Sequence, residues 1–191
     1  MKVKILLSYV LLVFFSCFIF FSCKEDYTPK PRAFLKLQFP KKIYQVYNTD
    51  CPFIFEFPEY ATIQKQKKQC YMNIDFPYFK GTLFITYLPL KDNLHEHIEQ
   101  SRSLAYKHNT KAEAISEQVF IDEKNKVYGM MYDYDGLTAT ATQFYITDSI
   151  HHFFRGSLYY NTEVNDSILP VNIFIKKDIR HLIEHFRWKD K

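Results

Sequence analysis

Glycine is nearly absent, with 4 residues in 191, and the four never cluster. Loops that cradle phosphates and the sharp turn that presents a nucleophilic serine both need closely spaced glycines, so neither a phosphate-binding loop nor a nucleophile elbow can be drawn. No charge of one sign dominates. The chain has 25 basic and 21 acidic side chains, and losing Lys2 and Lys4 with a signal peptide would leave 23 against 21, or +2. That balance gives nucleic acid no basic surface to bind. Cysteine is limited to four, with no second cysteine at close spacing to Cys51 or Cys70, which removes the usual thiolate zinc modules. What the chain has in quantity is aromatic: 19 Phe and 15 Tyr. Aromatics without glycine favour sheet.

The first 31 residues read as a sorting device. Lys2 and Lys4 precede an apolar run, Ile5–Phe21, which stops at Ser22-Cys23 and gives way to Lys24-Glu25-Asp26. This is the form of a lipoprotein signal peptide, residues 1–22, cleaved before a lipidated Cys23. The 17-residue run touches the lower limit of about 17–25 residues for a spanning helix, but Ser8, Ser16 and Cys17 dilute it. A lipoprotein is therefore preferred to an uncleaved anchor. Cys17 is the poorer acceptor, because Phe18–Phe21 would remain as an apolar tail. Residues 23–31, with Pro29 and Pro31, read as a short extended tether, and residues 32–191 as one globular domain.

Within that domain the hydrophobic period changes twice. Alternation predicts strands at Ala33–Phe39, Phe53–Phe57, Tyr71–Phe76 and Gly81–Leu88, with Gln64–Gln69 a solvated basic loop. A helix follows from Asn93, which has Glu96 at capping-box spacing, to Asn109. Alternation returns at Ala114–Ile121, Val127–Tyr134, Thr138–Thr147 and His151–Tyr160. Turns at Asp135-Gly136 and Asp148-Ser149 make the last three a meander. A final helix starts near Pro170 and buries Ile175, Ile179, Leu182, Ile183 and Phe186, with Trp188 as a plug. The order predicts an α+β fold: an antiparallel β-sheet with two main helices packed on it, loosely a Mog1/PsbP-like α/β/α sandwich.

Cys51 and Cys70 form a candidate disulfide in an oxidising compartment. Each stands at the start of its strand, so a simple hairpin would hold them at opposite ends. Bridging requires parallel strands, separate layers or a bend at Pro58.

Three constellations could carry chemistry. His181-Leu182-Ile183-Glu184-His185 fits the HxxEH zinc-protease pattern, with two imidazoles one turn apart and Glu184 as base. It lacks a third ligand nearby, and an acid from elsewhere would have to supply one. His95-Glu96-His97 and His151-His152 are weaker, since their rings diverge. A Ser149–His151–Asp148 triad rests on adjacency alone. The expectation is no enzyme, no metal and no cofactor, with a zinc hydrolase using His181, Glu184 and His185 as a remote alternative. Nine tyrosines (Tyr71, Tyr78, Tyr87, Tyr128, Tyr132, Tyr134, Tyr145, Tyr159 and Tyr160) suit either half-buried sheet positions or a surface that binds a glycan or small ligand.

Taken together, Pro29–Leu37, Cys70–Pro77, Ala114–Glu117, Val127–Tyr132, Gln143–Ser149, Gly156–Tyr159, Asp166–Pro170 and Lys177–Arg180 resemble the gliding-motility lipoprotein GldD family. Leu137-Thr138-Ala139-Thr140 departs from the Asn-Ala-Ala-Ser-like run expected there. The resemblance implies a cell-envelope lipoprotein required for gliding and linked to type IX secretion, with the membrane and the gliding and secretion machinery as partners and no catalytic residue. Its implied place is the periplasmic side of the outer membrane. Lys24-Glu25-Asp26 also resembles a surface-export signal, which would place it on the cell surface instead.

Overall fold

The structure is a computed structural model and describes residues 38–107, 114–135, 140–162 and 168–189. The signal peptide, Cys23, Lys24-Glu25-Asp26, the tether, the strand expected from Ala33 as far as residue 37, and Gly136–Ala139 lie outside the described residues. The described residues belong to one compact unit.

The fold is α+β, and the described residues form ten strands in two antiparallel sheets and two main helices. The larger sheet has seven strands. Thr62–Lys65 (β3), Met72–Phe76 (β4) and Gly81–Pro89 (β5) form one meander. Ala114–Asp122 (β6), Val127–Asp135 (β7), Thr140–Thr147 (β8) and His152–Tyr160 (β9) form a second. The two meet where β5 pairs with β9 over nine residues, Gly81↔Tyr160 to Pro89↔His152. Between them runs helix α1, Leu94–Tyr106. The smaller sheet joins Tyr44–Asn48 (β1), Phe53–Pro58 (β2) and Arg187–Trp188 (β10) in the order β1-β2-β10. Helix α2 is Leu169–Glu184 and carries Pro170 in its first turn, where a missing N–H costs nothing.

Neighbouring residues on a strand point to opposite faces, and here the two faces have different covers. Met131, Phe144, Phe154 and Leu158 join Phe53, Phe55 and Phe57 of β2 and Ile175, Ile179, Leu182 and Ile183 of α2 in the main core. Tyr132, Tyr134, Tyr145 and Phe153 pack on the other face against Ala105 of α1. The phenol of buried Tyr134 donates to the Ala105 carbonyl at 2.9 Å, fixing the helix to the sheet. Phe53 and Phe154 meet edge-on at 5.0 Å, and Phe186 lies 5.0 Å from Phe154. Each such ring contributes roughly 1.5–3 kcal/mol by leaving water.

Several expectations need correction. Gln38 and Phe39 are not in a strand; Phe39 instead stacks on Phe174 of α2 at 4.5 Å. The first described strand is β1, whose residues are exposed or half-buried, so burial gave no pattern to read. Thr62–Lys65, partly placed in a loop, is an edge strand. Asn93 precedes α1 but its side chain does not cap it; Asn93 Oδ1 accepts from the Lys91 N–H at 2.9 Å instead. The last helix ends at Glu184, so Phe186 lies beyond it and Trp188 belongs to β10, a strand not expected. The other strands and both helices start within about two residues of the predicted positions, which is the usual reach of boundary disagreement.

Candidate functional site

Helix α2 turns one stripe, Asp178, His181 and His185, toward the small sheet. Spacings of three and four residues stack these side chains along one face. The Asp178 carboxylate is 1% exposed and takes three donors. Lys42 Nζ lies 2.6 Å from Oδ1, the Tyr44 hydroxyl donates to Oδ1 at 2.9 Å, and the Tyr60 hydroxyl donates to Oδ2. Lys42 also donates to the Phe174 carbonyl at 2.9 Å and sits over its ring at 3.6 Å. Burial pulls the Lys42 ammonium below its ordinary value, and Asp178 partly restores it. Burial raises both phenols, reinforced by their hydrogen bonds to Asp178. Tyr44 and Tyr60 therefore remain donors through the physiological range.

One turn further on, the ring of Tyr44 lies flat on His181, with centroids 3.5 Å apart and planes 9° from parallel. His181 Nε2 meets Glu56 Oε2 of β2 at 2.7 Å. His185 stacks against His181 with centroids 3.9 Å apart. Its Nδ1 lies 3.0 Å from the His181 carbonyl oxygen. A carbonyl only accepts, so Nδ1 carries a proton, and in the neutral ring the lone pair is on Nε2. Glu56, His181 and His185 each offer a ligand atom, all within 4.8 Å of one another.

The HxxEH segment therefore does place two imidazoles one turn apart, His181 in the last turn of helix α2 and His185 at its C-cap. Glu184, which the motif casts as base, is exposed and is not among the converging ligand atoms. The acid comes from Glu56, 125 residues away in sequence. Its only sequence signal was a charge inside the alternating run Phe53–Phe57. Nothing local tied it to the histidines.

The other constellations have structural roles. Asp148 Oδ1 accepts the N–H groups of Ile150, His151 and His152 at 3.1, 2.8 and 2.7 Å and so closes the turn between β8 and β9. The backbone N–H of Ser149 donates to Thr147 Oγ1 at 2.9 Å, with Ser149 itself at φ 71°. His151 is exposed, 3.5 Å from Asp148. The triad's parts thus serve the turn. The His152 Nδ1 and the Tyr87 hydroxyl share a hydrogen bond of 2.7 Å, and the His152 ring stacks on Trp188 at 4.9 Å. Trp188 donates to the Lys126 carbonyl at 3.1 Å. His95 is exposed, while His97 lies against Phe153 at 5.3 Å.

The disulfide expectation falls on described residues. The structure has Cys51 and Cys70 bridged, with Cα atoms 5.6 Å apart, inside the usual span of about 4.4–6.8 Å. Cys51 leads into the small sheet and Cys70 into the large one, so the two strand starts lie in separate layers rather than at opposite ends of one hairpin. Of the nine tyrosines, Tyr132, Tyr134, Tyr145 and Tyr160 are buried. Tyr78, at 67% exposure, is the one among them that stands well out in water. Four of the nine thus serve the core and not a binding platform.

What the fold and these sites define is an α+β domain with a polar stripe between helix α2 and the small sheet. Residues 24–188 match the family model described as gliding motility lipoprotein GldD. The chain belongs to that family. Membership brings two coarse statements, a part in gliding motility and lipoprotein character, and the second implies association with the cell envelope. A search of curated proteins finds no match. Among the described residues no helix is long and apolar enough to cross a membrane.

Proposed function

We propose that this protein is an envelope-anchored assembly or stabilising factor of the gliding and type IX secretion machinery, acting through protein contacts and without catalysis. Cleavage after residue 22 exposes Cys23 for lipidation, residues 23–31 tether the chain, and residues 32–191 form the working domain. A fully processed cysteine carries three acyl chains, and two already suffice for stable anchoring. The domain faces the periplasm from the outer membrane. The observation that carries the reading is the family match, which begins at residue 24 and runs to 188, so nearly everything beyond the proposed anchor is family sequence.

The test is crosslinking in intact cells with the native anchor in place. Specific capture of gliding or secretion proteins is expected, together with loss of gliding in a Cys23→Ala variant. Recovery of no envelope partner, or full gliding by that variant, counts against the reading. Protease shaving of intact cells decides the leaflet. Survival of the protein is expected for the periplasmic side, whereas its loss would mean that Lys24-Glu25-Asp26 sends it to the surface.

A further inference from the structure

We propose that Glu56, His181 and His185 form a binding site for a divalent transition-metal ion of the zinc class, joining strand β2 to helix α2. The bland alternative is an ordinary ion pair between His181 and Glu56. That pair accounts for two of the three residues, but not for His185. His185 is held against His181 with its Nδ1 committed to a backbone carbonyl. The hydrogen bond sets the tautomer that leaves Nε2 as a ligand, which is the device by which metal-binding histidines are usually oriented. His181 is fixed from its other face by Tyr44, which is itself held by Asp178. The two imidazoles are thus oriented by contacts that a simple surface ion pair does not need.

The ligand set selects the class of ion. Two imidazole nitrogens and one carboxylate oxygen suit zinc and its neighbours rather than calcium or magnesium, which prefer oxygen alone. Tetrahedral zinc with bonds of about 2.0–2.1 Å needs ligand atoms about 3.4 Å apart. One ligand atom of each residue lies within 4.8 Å of the other two, and His181 Nε2 and Glu56 Oε2 are 2.7 Å apart. The His181 and His185 rings are stacked with centroids 3.9 Å apart and planes 20° from parallel, so binding turns the exposed His185 ring out of the stack until its lone pair converges on the ion. Binding replaces the His181–Glu56 hydrogen bond and requires both imidazoles to present a lone pair, so any proton on them leaves to solvent. His185 is exposed, which gives the ion a route in and leaves the fourth position to water. With Glu184 outside the converging set, the site has no assigned base and acts as a fastening between two elements. The inference stands apart from the assembly role and does not depend on it.

The experiment uses the full-length lipoprotein purified in detergent, stripped with a chelator and titrated with zinc against a chromophoric competitor. One zinc per chain is expected, with a zinc-dependent rise in Tm, since an ion that binds only the folded state stabilises it. Glu56→Gln and His185→Ala should each weaken binding by at least about tenfold and abolish the zinc-dependent part of the Tm rise. Both positions are partly or fully exposed, and circular dichroism of the metal-free variants confirms folding. Failure of the wild type to take up stoichiometric zinc, or wild-type affinity in either variant, overturns the assignment.

Discussion

Lys42 Nζ lies 2.6 Å from Oδ1 of Asp178, an ion pair spanning 136 residues between the segment that enters the domain and helix α2. Removing the carboxylate strands a partly buried ammonium and two phenols at once. Asp178→Ala should cost about 3–5 kcal/mol, the usual effect of breaking a buried charge pair from one side. Lys42→Met should cost clearly less, because Tyr44 and Tyr60 continue to donate to Asp178 and the methionine can still cover Phe174. Urea denaturation of both variants checks the order. Equal losses would show that the two phenols do not hold the carboxylate once the ammonium is gone.

The Cys51–Cys70 bridge closes a loop with a sequence separation of 19. Replacing both cysteines with serine should lower stability by roughly 3 kcal/mol through the larger freedom of the unfolded chain. Thiol counting by mass spectrometry after export is the direct check, with no free thiol expected at either position. If reductant leaves the denaturation midpoint of the wild type unchanged, the bridge contributes nothing.

Asp148 supplies an acid-sensitive turn. Burial opposes its charge, but three backbone N–H donors and nearby His152 outweigh burial and hold the carboxyl below its ordinary value. A depressed folded-state pKa stabilises the native protein above the unfolded value of about 3.9. That contribution is lost as pH falls through the lower, folded value. Asp148→Asn should therefore weaken the protein at neutral pH and flatten its stability profile below about pH 4. Parallel wild-type and variant profiles there would refute the assignment.

Gly129 sits on β7 where a Cβ would strike the carbonyl oxygen of Tyr145 on the neighbouring strand. Backbone cannot step aside as a side chain can. Gly129→Ala should cost about 1–3 kcal/mol as an overpacking change, read as a drop in Tm. At Gly81 the nearest atoms belong to the ring of Tyr160, at 3.1 Å, so Gly81→Ala should be milder.

The first meander of the large sheet was legible because its strands alternate. Met72–Phe76 and Gly81–Leu83 bury every second residue, and the turn after Thr147 announces itself with Asp148. Both helices were legible from their stripes. The small sheet was not. β10 is only two residues long, and β1 has no buried residue; both are strands because β2 lies beside them. The same blindness hid the third member of the histidine cluster. His181 and His185 share a helix face that periodicity can display, whereas Glu56 reaches them through tertiary packing, on which a local pattern is silent.

The pairing of Arg187 with Ile54 and Trp188 with Phe53 also sets an order of events. A chain that emerges end first presents Phe53, Phe55 and Phe57 long before their cover arrives. Ile175 to Phe186 and the strand beyond them come more than a hundred residues later. Pairings so distant in sequence form late, and exposed aromatic surface in the interval invites aggregation. This domain cannot close piecemeal as it is delivered. It has to wait, open and sticky, until residue 188 is free, which makes the interval before closure the stage at which a holding chaperone would matter most.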